Sequence, residues 1–209
     1  MKKINRAQLK QLVEATIFVA EKPVSRARLK DTTLADFSVS DKLLSSVIEE
    51  LILDYQPRGI QLVEVASGYR FQTLDSLAPM LSALWQEAAP RYSRAMLETL
   101  ALIAYRQPIT RGEIEQVRGV AVSSNIIKTL TEREWVKIVG HKEVPGRPAL
   151  YATTQTFLDY FSLTSLADLP CASKFDALAD KVNDSKEVPS AQTDRTNDKS
   201  KPESLPTNE

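Results

Sequence analysis

The chain is 209 residues long, 43% apolar and 26% charged, with 27 basic side chains balanced by 27 acidic ones. Those are the proportions of a soluble globular protein, and no apolar run approaches the roughly 20 residues that span a bilayer. Basic and acidic residues number 11 and 11 over 1–88, 10 and 8 over 89–169, and 6 and 8 over 170–209, so no segment carries the concentrated cationic surface by which an isolated protein holds DNA.

The chain opens with "MKKINRAQLKQLVEATIFVAEK". Basic residues precede an apolar stretch, as in a leader peptide, but Gln8, Lys10, Gln11 and Glu14 interrupt it. Leu9, Leu12, Val13, Ile17 and Ala20 recur at helical spacing, which predicts an amphipathic helix kept in the mature protein. Pro23 ends that helix, and Ser25 is placed to cap a second one. A third helix is expected over about residues 40–55 from its periodicity. The extended segments "GIQLVEV" and "GYRFQT" follow, joined by Ala66, Ser67 and Gly68. From Ser76 to Ala88, Leu77, Leu81, Leu84, Trp85 and Ala88 predict a connecting helix, closed by Pro90.

The order then repeats. "AEKPVSRARL" (20–29) and "YRQPITRGEI" (105–114) align without gaps at an offset of 85: proline, β-branched residue, hydroxyl residue, arginine, two variable residues, then an aliphatic one. The second copy follows a helix whose stripe is read as Leu97, Leu100, Ala101 and Ala104. Thr110 with Glu113 reads as a capping box. A third helix is expected from Ser123 to Glu134, then "WVKIVGH" and "ALYATT", joined by the longer "KEVPGRP". Alternation of Val136 and Ile138 with Lys137 and Val139 suits half-buried strands. Residues 155–169 are expected to form a short helix and turn that cover the second sheet.

Each unit is therefore helix, helix, helix, hairpin, the winged-helix order. The expected fold class is mainly α with small β-hairpins (α+β): a first winged-helix domain over 1–75, a connecting helix over 76–90, a second winged-helix domain over 91–169, and a disordered tail over 170–209. The tail is too polar to offset its ordering entropy, and no aromatic follows Phe175. The lone cysteine, Cys171, has no internal disulfide partner, which suits a reducing cytoplasmic setting.

Catalytic chemistry is not visible in the residue inventory. His141 is the only histidine, so transition-metal spacing is absent. No phosphate-cradling glycine motif occurs. Ser123 and Ser124 stand where a helix begins, which reads as capping, and the pairs Glu49 with Glu50 and Glu113 with Glu115 point different ways on their helices. The expectation is a protein that is not an enzyme and uses no cofactor.

Winged helices often read DNA with the third helix. Here that helix presents Glu49, Glu50 and Asp54 in the first unit, and Asn125 and Lys128 beside Glu132 and Glu134 in the second. The second wing carries Lys142, Glu143 and Arg147, stiffened by Pro145 and Pro148. It reads either as a DNA finger or as a rigid turn whose arginine bonds neighbouring carbonyls or carboxylates. The first helices hold more apolar side chains than one buried face takes up: Phe18 and Val19 beside Ile17, and Met96, Leu102, Ile103 and Tyr105 around Leu100. Surplus of this kind marks contact with another chain or module, unless the connecting helix and residues 155–169 cover it.

Residues 98–170 as a whole carry a resemblance. Through "AYRQPITR", "RGV" with "SSNIIKTL", "ER-W", "PGRP-LY-TT" and "FLDYF-L-SL-DLP", the second unit resembles the bacterial segregation and condensation protein B family. The first unit resembles that family in organisation more than in residues, and the tail falls outside it. The resemblance implies a cytoplasmic accessory subunit that forms a homodimer and holds the middle of a kleisin chain. The kleisin bridges the heads of a structural-maintenance-of-chromosomes ATPase in a complex that compacts and partitions the chromosome. DNA contact and ATP hydrolysis then lie mainly with the ATPase, which also ties the protein to the nucleoid.

On that footing Ile17, Phe18 and Val19 are expected at the dimer interface. Tyr105, Arg106, Arg111 and Arg147 match characteristic family positions and are expected to grip the kleisin, since an aromatic and guanidinium groups anchor well on protein surfaces. Internal roles stay open beside this: Arg106 and Arg111 tying the proline turn to helix carboxylates, and Tyr105 completing the core. The competing class is a dimeric winged-helix transcription regulator, which predicts tight, sequence-dependent duplex binding with a steep salt dependence.

Overall fold

The structure is a computed structural model and describes residues 2–84 and 92–170. The expected tail after Pro170 and the last part of the expected connecting helix lie outside these residues.

In the first module, helix α1 (Arg6–Val19) starts at Asn5, whose side chain accepts from the Gln8 N–H. Helix α2 (Arg26–Asp31) is capped by Ser25, and α3 (Asp41–Tyr55) by Ser40. Each cap satisfies a backbone donor that the first turn of a helix leaves without an internal partner. Leu9, Val13 and Ile17 of α1 meet Leu29 of α2 and Leu44, Val47, Ile48 and Leu51 of α3 in one buried cluster. The strands β1 (Ile60–Val65) and β2 (Gly68–Thr73) form an antiparallel hairpin, with Ile60 opposite Thr73 and Val65 opposite Gly68. Val24 adds an isolated bridge to Tyr69.

Between the modules, the described part of the expected connecting helix is three short turns. They are a 3-10 turn at Asp75–Leu77, a helical turn α4 (Ala78–Leu81) and a second 3-10 turn at Ser82–Leu84. Pro79 lies at the start of α4 and has no N–H to give. Met80 and Leu84 are exposed, so little apolar burial supports a longer helix here.

The second module repeats the order. Helix α5 (Arg94–Arg106) is capped by Ser93, strand β3 spans Ile109–Thr110, and α6 (Arg111–Arg118) starts from the capping box of Thr110 and Glu113. It ends at Gly119, whose φ of 70° is the left-handed conformation common after helices. Helix α7 (Ser124–Glu132) is followed by β4 (Val136–His141) and β5 (Ala149–Thr153) in a three-stranded sheet of order β3-β5-β4. Strand β3 is too short to announce itself in sequence. Its counterpart in the first module is the Val24 bridge, and Val24 and Ile109 stand at the same offset of 85 as the prolines before them. Helix α8 (Gln155–Tyr160) then puts Phe157 into the second core.

Two expected faces differ. The buried face of α5 is Met96, Thr99, Leu100, Ile103 and Ala104, while Leu97 is 42% exposed. In β4, Val136 is buried but Ile138 is 55% exposed. That strand is the sheet edge, shifts register between Ile138 and Gly140, and outruns the core after its first residue.

Candidate partner-binding surfaces

The outer end of α1 is the most apolar exposed surface of the first module. Phe18 and Val19 are exposed at 70% and 78%, and Leu53 of α3 is exposed as well. Ile17, expected beside them, is only 3% exposed and belongs to the module's own core. A three-residue step along a helix keeps one face, whereas adjacent residues diverge by about 100°. The Phe18 ring sits edge-on to Phe71, with centroids 6.3 Å apart. Gln11, Glu14, Ala15, Phe18 and Tyr55 line a shallow groove there.

Two of the three α3 acids that argue against DNA, Glu50 and Asp54, are held within the module. Glu50 takes Arg6 at 3.0 Å and Lys10 at 2.9 Å, and Lys10 also reaches Asp54. Hydrogen bonds from Lys10, and then from Arg6, hold the Glu50 carboxyl below its ordinary range. In the second module Lys128 is placed 3.7 Å from Glu132 on the same helix.

The four residues expected to meet a partner fall into different settings. Tyr105 and Arg106 end α5, both exposed. Arg106, Pro108, Ile109, Glu113, Gln116 and Val117 line an open groove of about 510 Å³ between α5 and α6. Arg111 engages local partners: its Nε donates to Glu115 at 3.0 Å, Nη1 to Ser124 Oγ at 3.0 Å, and Nη2 to the Val122 carbonyl. Glu115 also accepts the Val122 N–H, which with Arg111 lowers its pKa. Arg111 therefore ties α6 to the loop before α7. Arg147 stands on the wing with φ of 39°, 73% exposed at its side chain and 3.6 Å from Glu143.

One contact that the residues do not announce joins the wing to the groove. Lys142 Nζ donates to Glu113 Oε1 at 2.5 Å, while Glu113 Oε2 accepts from the Thr110 N–H and hydroxyl. Lys142 first, and then Thr110, hold the Glu113 carboxyl down to about 2. Thr110 and Glu113 were legible as a cap; the lysine 29 positions away was not. A second unannounced feature is an aromatic cluster in which Trp135 meets Tyr92, Tyr160 and Phe161, with Arg133 over the Tyr92 and Trp135 rings. Among the described residues no group of three or more acidic, histidine or cysteine side chains could hold a metal, and no helix is long and apolar enough to cross a membrane.

The sequence matches the family described as segregation and condensation complex subunit ScpB over residues 11–172, a span that runs through both modules. The chain belongs to the ScpB family. A ScpB homolog from Coxiella burnetii (strain RSA 493 / Nine Mile phase I) is 53% identical over 161 residues, covering 77% of each chain. Segregation and condensation protein B of Syntrophotalea carbinolica is 41% identical over 177 residues, covering 84% of this chain and 87% of that one. Among solved structures, a dimer of the ScpB N-terminal domain complexed with ScpA peptide has 31% sequence identity and covers 41% of this chain and 99% of its own. Its TM-score is 0.34.

Proposed function

We propose that this ScpB-family chain is a non-enzymatic accessory subunit of a condensin-like complex, acting in chromosome condensation and segregation in the cytoplasm and at the nucleoid. The observation that carries the reading is the family match through both modules, 11–172. In this proposal the modules at 1–75 and 91–169 are the working units and 76–90 connects them. The first pairs with a second copy through the apolar end of α1, where Phe18 and Val19 are bare. The second takes the kleisin along the groove beside Arg106, with Tyr105 at its end and Arg147 on the wing. Arg111 contributes by holding α6 against α7 rather than by reaching out. Contact with the ATPase and with DNA is indirect, through the kleisin.

The apolar α1 end and the pairing of Arg6 and Lys10 with Glu50 and Asp54 support polypeptide as the partner, since phosphate contact needs unopposed cations. Purifying the native complex from cells tests the reading: a kleisin and its ATPase are expected to come with the chain. With purified parts, Arg106→Glu combined with Arg147→Glu is expected to weaken kleisin binding at least tenfold, about 1.4 kcal/mol or more, with an unchanged circular dichroism spectrum. Unchanged affinity would place the grip elsewhere. Tight binding of operator DNA by the pure protein, with no kleisin recovered, would favour the transcription regulator instead.

A further inference from the structure

The segment after α8 carries the "FLDYF" signature, and neither a core role nor the partner surfaces account for all of it. Phe157 fills the second core. Ser162 is the unusual residue: its φ is 56°, a left-handed conformation disfavoured for a residue with a Cβ. The position closes a helix end. The Leu163 N–H donates to the Leu158 carbonyl at 2.9 Å, and the Ser162 N–H to the Asp159 carbonyl at 3.2 Å, the pattern in which glycine is the ordinary occupant. A serine there retains the backbone cost and adds only a hydroxyl.

That hydroxyl reaches the other module. Arg70 Nη2 of β2 donates to Ser162 Oγ at 3.0 Å, and Ser162 Oγ lies 3.4 Å from Gln72 Oε1. Two neighbours act alike. Asp159 Oδ1 accepts the Ser67 N–H at 2.9 Å, and the Leu163 carbonyl accepts the Ala66 N–H at 2.9 Å. Both backbone donors at the tip of the β1–β2 hairpin, which would otherwise face water, are thus satisfied from the second module. Arg70 Nε is buried without a partner, and Val65 is 2% exposed though it belongs to neither core. A hairpin tip standing free in solvent would bury neither.

We infer that residues 159–163 form a polar clasp that grips the first module's wing turn, sets the mutual orientation of the two modules, and withholds that turn from outside ligands. Each module has its own core, and domains joined by small polar contacts move relative to one another by default. The fixed arrangement therefore depends on these few groups. In a winged helix the turn of the hairpin is the element that extends toward a ligand; here it is spent on holding the partner module, while the longer second wing stays exposed.

The test separates the hydroxyl from the backbone. Ser162→Gly relieves the left-handed cost and keeps the helix end, so the protein folds at least as well, but the clasp loses a member. Asp159→Ala and Arg70→Met remove partners on the two sides. Full-length chains with Cys171→Ser carry spin labels at Lys42→Cys and Lys128→Cys, diluted into unlabelled chain so that distances within one copy are read. The parent is expected to give one narrow distance, and each clasp variant a distribution about twofold broader, with exchange of the Ala66 and Ser67 amides accelerated about tenfold or more. Arg70→Met combined with Ser162→Gly is expected to add little to either alone. A broad parent distribution overturns the clasp, as do variants that retain helical circular dichroism but leave either the distance width or the two amide rates unchanged.

Discussion

At the residue scale, Glu113 joins a helix start to a wing: it closes the α6 capping box and pairs with Lys142. Its folded-state pKa of about 2 lies below the ordinary 4.5. A carboxylate depressed in this way contributes stability that is complete above about pH 4.5 and is lost as pH falls through 4.5 toward 2. Its side chain is 38% exposed, so solvent screens the ion pair and the effect is modest. Acid unfolding of the second module, followed by fluorescence of the buried Trp135 in a Trp85→Phe background, is expected to steepen in that window. Glu113→Gln keeps an acceptor for Thr110 but removes the charge, and should flatten the same stretch of the curve. An identical slope in the variant would mean that Lys142 does not act on Glu113 in solution.

At the element scale, caps were readable and faces less so. Ser25, Thr110 and Ser123 each cap the helix they precede, because capping needs only a hydroxyl two or three residues from an orphan N–H. The face of α5 was not decided by pattern, since "MLETLALIAY" offers apolar residues on several sides and more than one stripe fits a 3.6-residue period. Urea denaturation checks the observed face: Ile103→Ala is expected to cost about 2–5 kcal/mol, whereas Leu97→Ser should change stability by no more than about 0.5 kcal/mol. Equal losses would restore the stripe through Leu97. The first hairpin has its own dependence on Gly68, whose φ is 140° and where an added Cβ would overlap the Val24 carbonyl and the Ser25 nitrogen. Gly68→Ala should therefore break the Val24–Tyr69 bridge and destabilise the first module by about 2–4 kcal/mol, seen as a lower midpoint in urea. A midpoint matching the parent would mean that the bridge is dispensable.

At the scale of the whole molecule, the apolar surplus read from the first helices divides in two. Met96, Ile103 and Ile17 are taken up by their own cores, while Phe18 and Val19 remain outside. An exposed apolar pair on a rigid helix is where self-association is expected. Phe18→Glu should shift the sedimentation mass from dimer towards monomer without altering the helical spectrum, because Phe18 adds little to the core. Persistence of the dimer would move the interface off the end of α1.

How much of the molecule was legible follows from the range of each interaction. Helix order, caps, the repeat and the likeness of residues 98–170 to the ScpB family are written in neighbouring residues, since a cap or a periodic stripe spans only a few positions of the chain. The two-residue β3 was not, because so short a strand exists only through its pairing with β5. Arg111 reads alike in sequence as an outward anchor or an internal tie, and its bonds to Val122 and Ser124 appear only in the folded chain. The same holds for Lys142 on Glu113 and for Asp159 on Ser67, the latter 92 positions apart. Such pairs form only after two separate segments have packed, so their geometry belongs to tertiary structure and leaves no local pattern to read.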